Sequence, residues 1–281
     1  MPVKSRLTEA ERKRSYASLL SRPMTPPPVD VYDALAKCPI DPANALPVQN
    51  RNDLLNPGYL SAERGWCLMP DGTGFVAGLT QMPGVTADMI DWWFAWHGLE
   101  GLRYAIWDPD DHKDAHVARA DLERRLNHKL SWQERNWGTT DVVTEDVGTG
   151  MLVLDISFMS PEDFGYDMKR FAAGGRTAVN ANLGLHEPSS RLVCFTHQAR
   201  EIAGGIELRS RFWVGWNIID KKPTRVGQDV PVHEIERLAK ALASHCPKEY
   251  FNLAAILPQV YAENHDVIDD IADFQPSRVA S

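Results

Sequence analysis

The stretch from Trp92 to His116, WWFAWHGLEGLRYAIWDPDDHKDAH, constrains the fold more than any other part of the chain. Trp92, Trp93, Phe94 and Trp96 crowd into one short run, and rings of that size are too large to leave in water, so the segment must be buried. Thr86 followed by Asp88 predicts a helix start, and Gly98 predicts its end. An extended run is expected next, with Leu102, Tyr104 and Ile106 pointing one way. It breaks at Asp108-Pro109 to present Asp110, Asp111 and His112 on a turn. A polar tip on an apolar scaffold is where ligand sites sit.

Four blocks carry a resemblance: WWFAWHGLEGLRYAIWDPDDH, the earlier CLMPDGTGFVA (Cys67 to Ala77), the later GGIELRSRFWVGW (Gly204 to Trp216) and HCPKEYFNLAAILPQVY (His245 to Tyr261). In this order they resemble the phloretin hydrolase and 2,4-diacetylphloroglucinol hydrolase family. The resemblance implies a zinc-dependent hydrolase that cleaves the carbon–carbon bond between an aromatic ring and an acyl group. It also implies an α+β helix-grip fold like that of the birch-pollen allergen and START domains. A small N-terminal domain used for dimerisation, hence a homodimer, is part of the same expectation.

Composition bounds the alternatives. With 281 residues, 43% hydrophobic and 24% charged, the chain can bury a large core. Thirty basic against thirty-eight acidic residues give a formal charge of -8, which disfavours nucleic acid and anionic membranes as partners. The N-terminal MPVKSRLTEAERKR lacks the apolar core of a signal peptide, and no window approaches the roughly 18 apolar residues of a membrane span. A cytoplasmic location is expected. Cys38, Cys67, Cys194 and Cys246 are widely spaced with no CxxC pair, and read as reduced core thiols.

Along the chain, residues 7–21 have helical composition, and Pro23, Pro26, Pro27 and Pro28 then suggest an extended tether, so 1–28 is read as a peripheral segment. Residues 29–83 are assigned to the small N-terminal domain, with one short helix (Val31 to Lys37) and loops around Asn50 to Asn52 and Asp71 to Gly74. Residues 84–281 are assigned to the catalytic domain. There Val142 to Glu145 and Met151 to Phe158 flank Gly148-Thr149-Gly150, a hairpin signal. Ser160-Pro161 predicts a helix start and Gly174-Gly175 its end. Arg191 to Glu201 and a long strand from Ile206 to Ile218 flank Ala203-Gly204-Gly205. On that strand Ile206, Leu208, Phe212, Val214, Trp216 and Ile218 share one face, while Glu207, Arg209 and Arg211 lie opposite, where ion pairing on the sheet surface is expected. Pro231 to about Tyr261 is read as a helix with Ile235, Leu238, Ala239 and Leu242 at three- and four-residue spacing, kinked at Pro247. A curved antiparallel sheet gripping this helix would leave a pocket between them.

Four residues carry the metal expectation. His245 and Glu249 are four apart on the last helix and share a face. Glu145 alternates in phase with Val143 and Val147, which puts a carboxylate on an apolar face where an unpaired charge is costly. His112 sits after Asp108-Pro109, with His116 as its competitor, and Asp110 and Asp111 are candidates to orient it. The resemblance places zinc ligands on His112, Glu145, His245 and Glu249. His97 is expected to cap the aromatic helix, and His128, His186, His233 and His265 read as surface residues.

For the chemistry, His197 alternates with Val193 and Phe195 and so faces the cavity or the core; the resemblance favours a general acid/base role. Tyr104 is the candidate to meet a ring hydroxyl of the substrate. Where the diacetylphloroglucinol enzymes carry an asparagine and a tyrosine, this sequence has Ala115 and Phe212, which favours another acyl-phloroglucinol such as phloretin. Trp216 completes the substrate-binding set, and Glu145 or Glu249 can instead be a base beside the ion. Two readings stay open beside phloretin cleavage: deacetylation of 2,4-diacetylphloroglucinol, and a non-catalytic helix-grip carrier of an aromatic ligand.

Overall fold

The computed structural model describes residues 2–173 and 177–267. It is an α+β arrangement built on one eight-stranded antiparallel sheet. Its strands are β1 (Gly65–Leu68), β2 (Gly74–Pro83), β3 (His112–Val117), β4 (Thr140–Glu145), β5 (Leu152–Met159), β6 (Thr177–Leu185), β7 (Val193–Ile202) and β8 (Gly205–Val214). Their spatial order is β1-β2-β8-β7-β6-β5-β4-β3. The expected hairpins β4–β5 and β7–β8 are present.

β1, β2 and β6 carry no strand signal in the sequence, and the packing explains why. β2 is buried on both faces over Gly74–Ala77, so the alternation that marks a half-exposed strand is absent from its first half. The Asp71–Gly74 loop is the tight connection between β1 and β2, held by Thr73 N–H donating to Asp71 Oδ1 at 3.0 Å. Segment 29–83 thus contributes two strands to the common sheet.

One face of the sheet packs on the aromatic helix (Ala87–Trp96) and the C-terminal helix (Val232–Asn264). Thr86 caps the first of these, its hydroxyl accepting from Met89 N–H. The second runs as one helix of 33 residues through Pro247 and Pro258. It lies close on β2 because Gly74 has no side chain: a Cβ there would come within 3.1 Å of the Ala239 Cβ. Tyr16 and Leu20, from the stretch 1–28, are buried in this same core, with Tyr16 edge-on to Trp96 at 4.9 Å. Among the described residues no helix is long and apolar enough to cross a membrane. The four cysteines are free.

Several sequence expectations are corrected. Residues 101–105 form a helical turn and not an extended run; Leu102, Tyr104, Ala105 and Ile106 are all buried, so no period distinguishes helix from strand. Residues 7–21 are helical only at Glu9–Arg12 and in a 3-10 turn at Ala17–Ser21. Ser160-Pro161 opens a turn, with Ser160 Oγ accepting from Asp163 N–H, and the helix begins later at Met168, capped by Asp167. Its expected end at Gly174-Gly175 lies outside the described residues. The long strand stops at Val214, since Gly215 adopts φ 91°, and Trp216–Ile219 instead forms a separate hairpin with Lys222–Arg225.

Arg209 and Arg211 are fully buried instead of on the sheet surface. Segment 46–62 and the turn bearing Phe164 cover that face, forming a second core with Phe75 and Trp213. Glu63 bridges the two guanidiniums, Arg209 Nη2 to Oε1 at 2.5 Å and Arg211 Nη2 to Oε2 at 2.6 Å. Burial raises the Glu63 carboxyl, but the two arginines outweigh it and hold it down to about 2. A depressed carboxylate stabilises the fold above its unfolded value and loses that contribution as pH falls towards about 2. Glu63→Gln should therefore cost about 3 kcal/mol at neutral pH, by leaving two buried guanidiniums short of charge. The loss should shrink in acid, and denaturant titrations at pH 7 and pH 3 check it.

Candidate metal centre and active site

Local chain geometry brings the site together. β3 and β4 pair with His112 opposite Glu145, so the register sets imidazole against carboxylate. His245 and Glu249 project from one face of the C-terminal helix towards the same point. His112 Nε2 lies 3.3 Å from Glu145 Oε2, 3.5 Å from Glu249 Oε2 and 3.4 Å from His245 Nε2. His245 Nε2 is 3.7 Å from Glu145 Oε2 and 3.9 Å from Glu249 Oε2. All four side chains are buried.

The far side of each imidazole is occupied. His112 Nδ1 faces the Tyr104 carbonyl at 3.2 Å, and His245 Nδ1 faces Asp111 Oδ2, also at 3.2 Å. Both Nε2 atoms are left aimed at the shared centre, the orientation that outer partners impose on metal-binding histidines. Asp111 therefore orients His245, whereas the sequence suggested His112. Lys248 Nζ holds Asp111 at 2.7 Å, and Asp110 lies on the outer side of that lysine.

Electrostatics fit a cation. Burial raises Glu249 well above the ordinary carboxylate range, with the neighbouring Glu145 adding to the shift and His245 opposing it. Burial also opposes ionisation of Glu145, yet His112 and His245 bring it below its usual value. For His245, burial is outweighed by Asp111, Glu249 and Glu145, which push it up to about 9. Two imidazoles and two carboxylates sharing one dry spot form a set that a divalent ion would balance. His112, His245 and Glu249 are placed to hold a metal ion, with Glu145 beside them.

The centre forms one wall of a narrow apolar chamber lined also by Phe94, Phe158, His197, Phe212 and Tyr250. Its free space is about 50 Å³. His197 sits opposite Ser210 across β7–β8 and contacts its Oγ through Nδ1 at 2.7 Å. Burial alone pushes its pKa down to about 3, so at neutral pH it is an uncharged imidazole. Tyr104 stacks face to face on His112, with ring centres 4.0 Å apart, and its hydroxyl donates to Glu145 Oε2 at 2.6 Å. That hydroxyl is thus engaged by Glu145 instead of standing free in the chamber.

The remaining candidates separate. Phe212 lines the chamber. Ala115 is buried in β3 opposite Val143, outside the chamber wall. Trp216 packs with the second core beyond Gly215, away from the metal centre. His116 points outward from β3. His97 reaches back to the Trp93 carbonyl at 2.9 Å, as expected of a cap, and also lines the chamber.

Sequence reasoning missed Tyr250 and Trp107. Tyr250 is fully buried against the chamber with a hydroxyl that has no hydrogen-bond partner among the described residues. Its signal was available, since Leu242, Cys246, Tyr250, Leu253 and Leu257 continue the apolar stripe of the helix. Trp107 packs edge-on against His112 and donates its indole N–H to the Glu249 carbonyl at 3.1 Å, clamping the ligand helix to the turn.

A buried carboxylate–histidine centre beside an apolar chamber has the concave, polar-tipped form of a small-molecule enzyme site. Residues 46–262 match the DAPG hydrolase PhiG domain, and the chain belongs to this family of hydrolases, which cleave a carbon–carbon bond in ketonic substrates. It is 34% identical over 272 residues to a phloretin hydrolase of Eubacterium ramulus, covering 94% of this chain and 95% of that protein. It is 32% identical over 229 residues to 2,4-diacetylphloroglucinol hydrolases of a Pseudomonas species and of Pseudomonas protegens. These matches cover 77% of this chain, and 76% and 73% of the two proteins respectively.

Proposed function

We propose that the protein is a zinc-dependent hydrolase that cleaves the aryl–acyl bond of an acylated phloroglucinol, with phloretin as substrate and phloroglucinol and phloretic acid as products. The observation that carries this reading is the convergence of the His112 and His245 Nε2 atoms with Glu145 and Glu249 on a chamber that also holds an uncharged His197. Two imidazoles and two carboxylates are a donor set that suits zinc. Phloretin is preferred because the match to the phloretin hydrolase extends over nearly the whole of both chains. Phe212, with no hydroxyl to offer a second ring substituent, favours the same choice.

Bond cleavage consumes one water: its hydroxyl goes to the acyl carbon, and its remaining hydrogen restores the ring hydroxyl whose own proton has moved to the ring carbon. The ring can leave because its hydroxyls permit a keto tautomer, in which the carbon bearing the acyl group is already protonated. His197 is suited to make that tautomer. Neutral and buried, it takes the proton of a ring hydroxyl and returns it to the ring carbon. Ser210 on Nδ1 leaves Nε2 as the nitrogen that faces the ring. The unpartnered Tyr250 hydroxyl is available to a ring oxygen, which would satisfy a buried polar group otherwise costly to leave unpaired. Tyr104 fixes Glu145, and Glu145 or Glu249 can take the proton released by the attacking water. A zinc ion held by these residues would supply Lewis-acid polarisation of the acyl carbonyl and acidify water.

The helix-grip relation is part of this proposal, supported by the packing of the long C-terminal helix against β1, β2 and β8. A homodimer through segment 29–83 is supported by Val29, Tyr32 and Tyr59, large side chains left exposed there.

The test pairs metal analysis with turnover. Freshly purified protein should carry about one zinc per chain, and it should release phloroglucinol from phloretin in a reaction lost on chelation and restored by zinc. Zinc with cleavage of diacetylphloroglucinol alone would move the assignment to the deacetylase. Tight binding of either compound with neither metal nor turnover would make the protein a carrier.

A further inference from the structure

A second, larger cavity adjoins the chamber. It has a volume of about 500 Å³, within the usual size range of small-molecule sites, and it opens between the β4–β5 hairpin, the end of β6 and the start of the C-terminal helix. Val147, Leu183 and Leu242 line both spaces and so form the partition between them. Two of these three residues are tied to metal-centre residues by local geometry. Val147 follows Glu145 by two positions, and Leu242 precedes His245 by three, one turn earlier on the same helix. A chain running from a carbonyl held at the metal centre towards the outer cavity therefore crosses at the Val147–Leu242 partition.

The contents of the two spaces differ. The chamber alone has room for a few waters and cannot take a two-ring ligand, whereas the outer cavity is walled by Leu152, Leu154, Leu185, Leu192 and Leu238. Its rim is polar, with Asp229, Glu234 and Arg237. An apolar body ending in a polar edge matches an arm made of a short alkyl link and a phenol ring.

Resting on the function proposed above, we propose that this cavity is the acyl-arm site: the trihydroxyphenyl ring enters the chamber, the carbonyl stops at the metal centre, and the arm passes between Val147 and Leu242 into the outer cavity. The enzyme is thereby selective for long arylacyl groups over acetyl. The ring of such a substrate takes the chamber, whose lining side chains must move apart to admit it because the free space there is about 50 Å³, while its arm gains the burial that an acetyl group cannot make.

The experiment fills the outer cavity from positions remote from the metal and absent from the chamber wall. Leu238→Trp and, independently, Leu185→Trp are made in the zinc-loaded enzyme; both residues are only partly buried, so a larger ring can be accommodated. Each should raise KM for phloretin about tenfold while the inhibition constant of phloroglucinol, which has no arm, stays within about twofold. A phloretin KM unchanged in both variants would overturn the acyl-arm site and leave the proposed activity standing. Parallel losses for phloretin and phloroglucinol would also overturn it, since the chamber would then be what was disturbed. A wild-type enzyme that turns over acetylphloroglucinols and not phloretin overturns it as well, and one that cleaves no acyl-phloroglucinol removes the proposed function itself.

Discussion

His245→Ala should purify without its metal and lose about 10³-fold or more in kcat/KM, because Lewis-acid assistance worth roughly 4 kcal/mol corresponds to about three powers of ten. The argument is geometric as much as chemical. His245 contributes one of the two imidazole nitrogens that converge at the centre, and its Nε2 lies within 4 Å of the His112, Glu145 and Glu249 donor atoms. Its removal leaves two carboxylates and one imidazole in a dry site. Glu145→Ala should have the same effect, and there Tyr104 also loses its partner. Metal per chain by mass spectrometry, with circular dichroism to confirm folding, decides the matter. Full occupancy in a folded variant would remove that residue from the ligand set. Asp111→Ala is the milder companion: it frees the outer face of His245, and metal affinity should fall by about 10- to 100-fold without abolition.

His197→Ala should retain the metal and lose about 10²- to 10⁴-fold in kcat, the range of a lost general acid/base. His197 is near the chamber's aromatic rings, Phe195, Phe212 and Tyr250, and its hydrogen bond among the described residues goes to Ser210 and to none of the four metal-centre residues, so metal content is the control that separates chemistry from collapse. Near-native kcat would rule out the proton-shuttle role. The same variant carries a pH signature. Burial lowers His197 from its ordinary value of 6.5 to about 3, so the unfolded chain binds the proton more readily. Folding stability is accordingly lost as pH falls from 6.5 towards 3, and replacement by alanine should make the protein less sensitive to acid over that window. His97, also lowered to about 3 by burial, leaves a residual acid sensitivity in the variant.

Much of the site was legible because the relevant spacings are local. His245 and Glu249 share a face in any helix, and Glu145 in phase with Val143 and Val147 is on the buried face of any strand. The same alternation placed His197 inward. Alternation failed where both faces of an element are covered. The first half of β2 and the turn at 101–105 show no period because neighbours surround them, and an extended reading of Tyr104 fails for that reason. Arg209 and Arg211 were assigned to a surface that segment 46–62 in fact covers. Trp216 kept its place in the pattern on paper, but Gly215 turned the chain away.

The sequence by itself determined which side chains lie inward on regular elements: His245 with Glu249, Glu145 and His197, and the aromatic helix as a buried anchor. Only the tertiary structure decided what they meet. The β3–β4 register sets His112 against Glu145, and the packing of the C-terminal helix brings His245 to Asp111 and leaves the Tyr250 hydroxyl without a partner. Periodicity fixes the direction of a side chain within its own helix or strand, whereas a contact between elements far apart in the chain depends on register and packing, which no local spacing encodes.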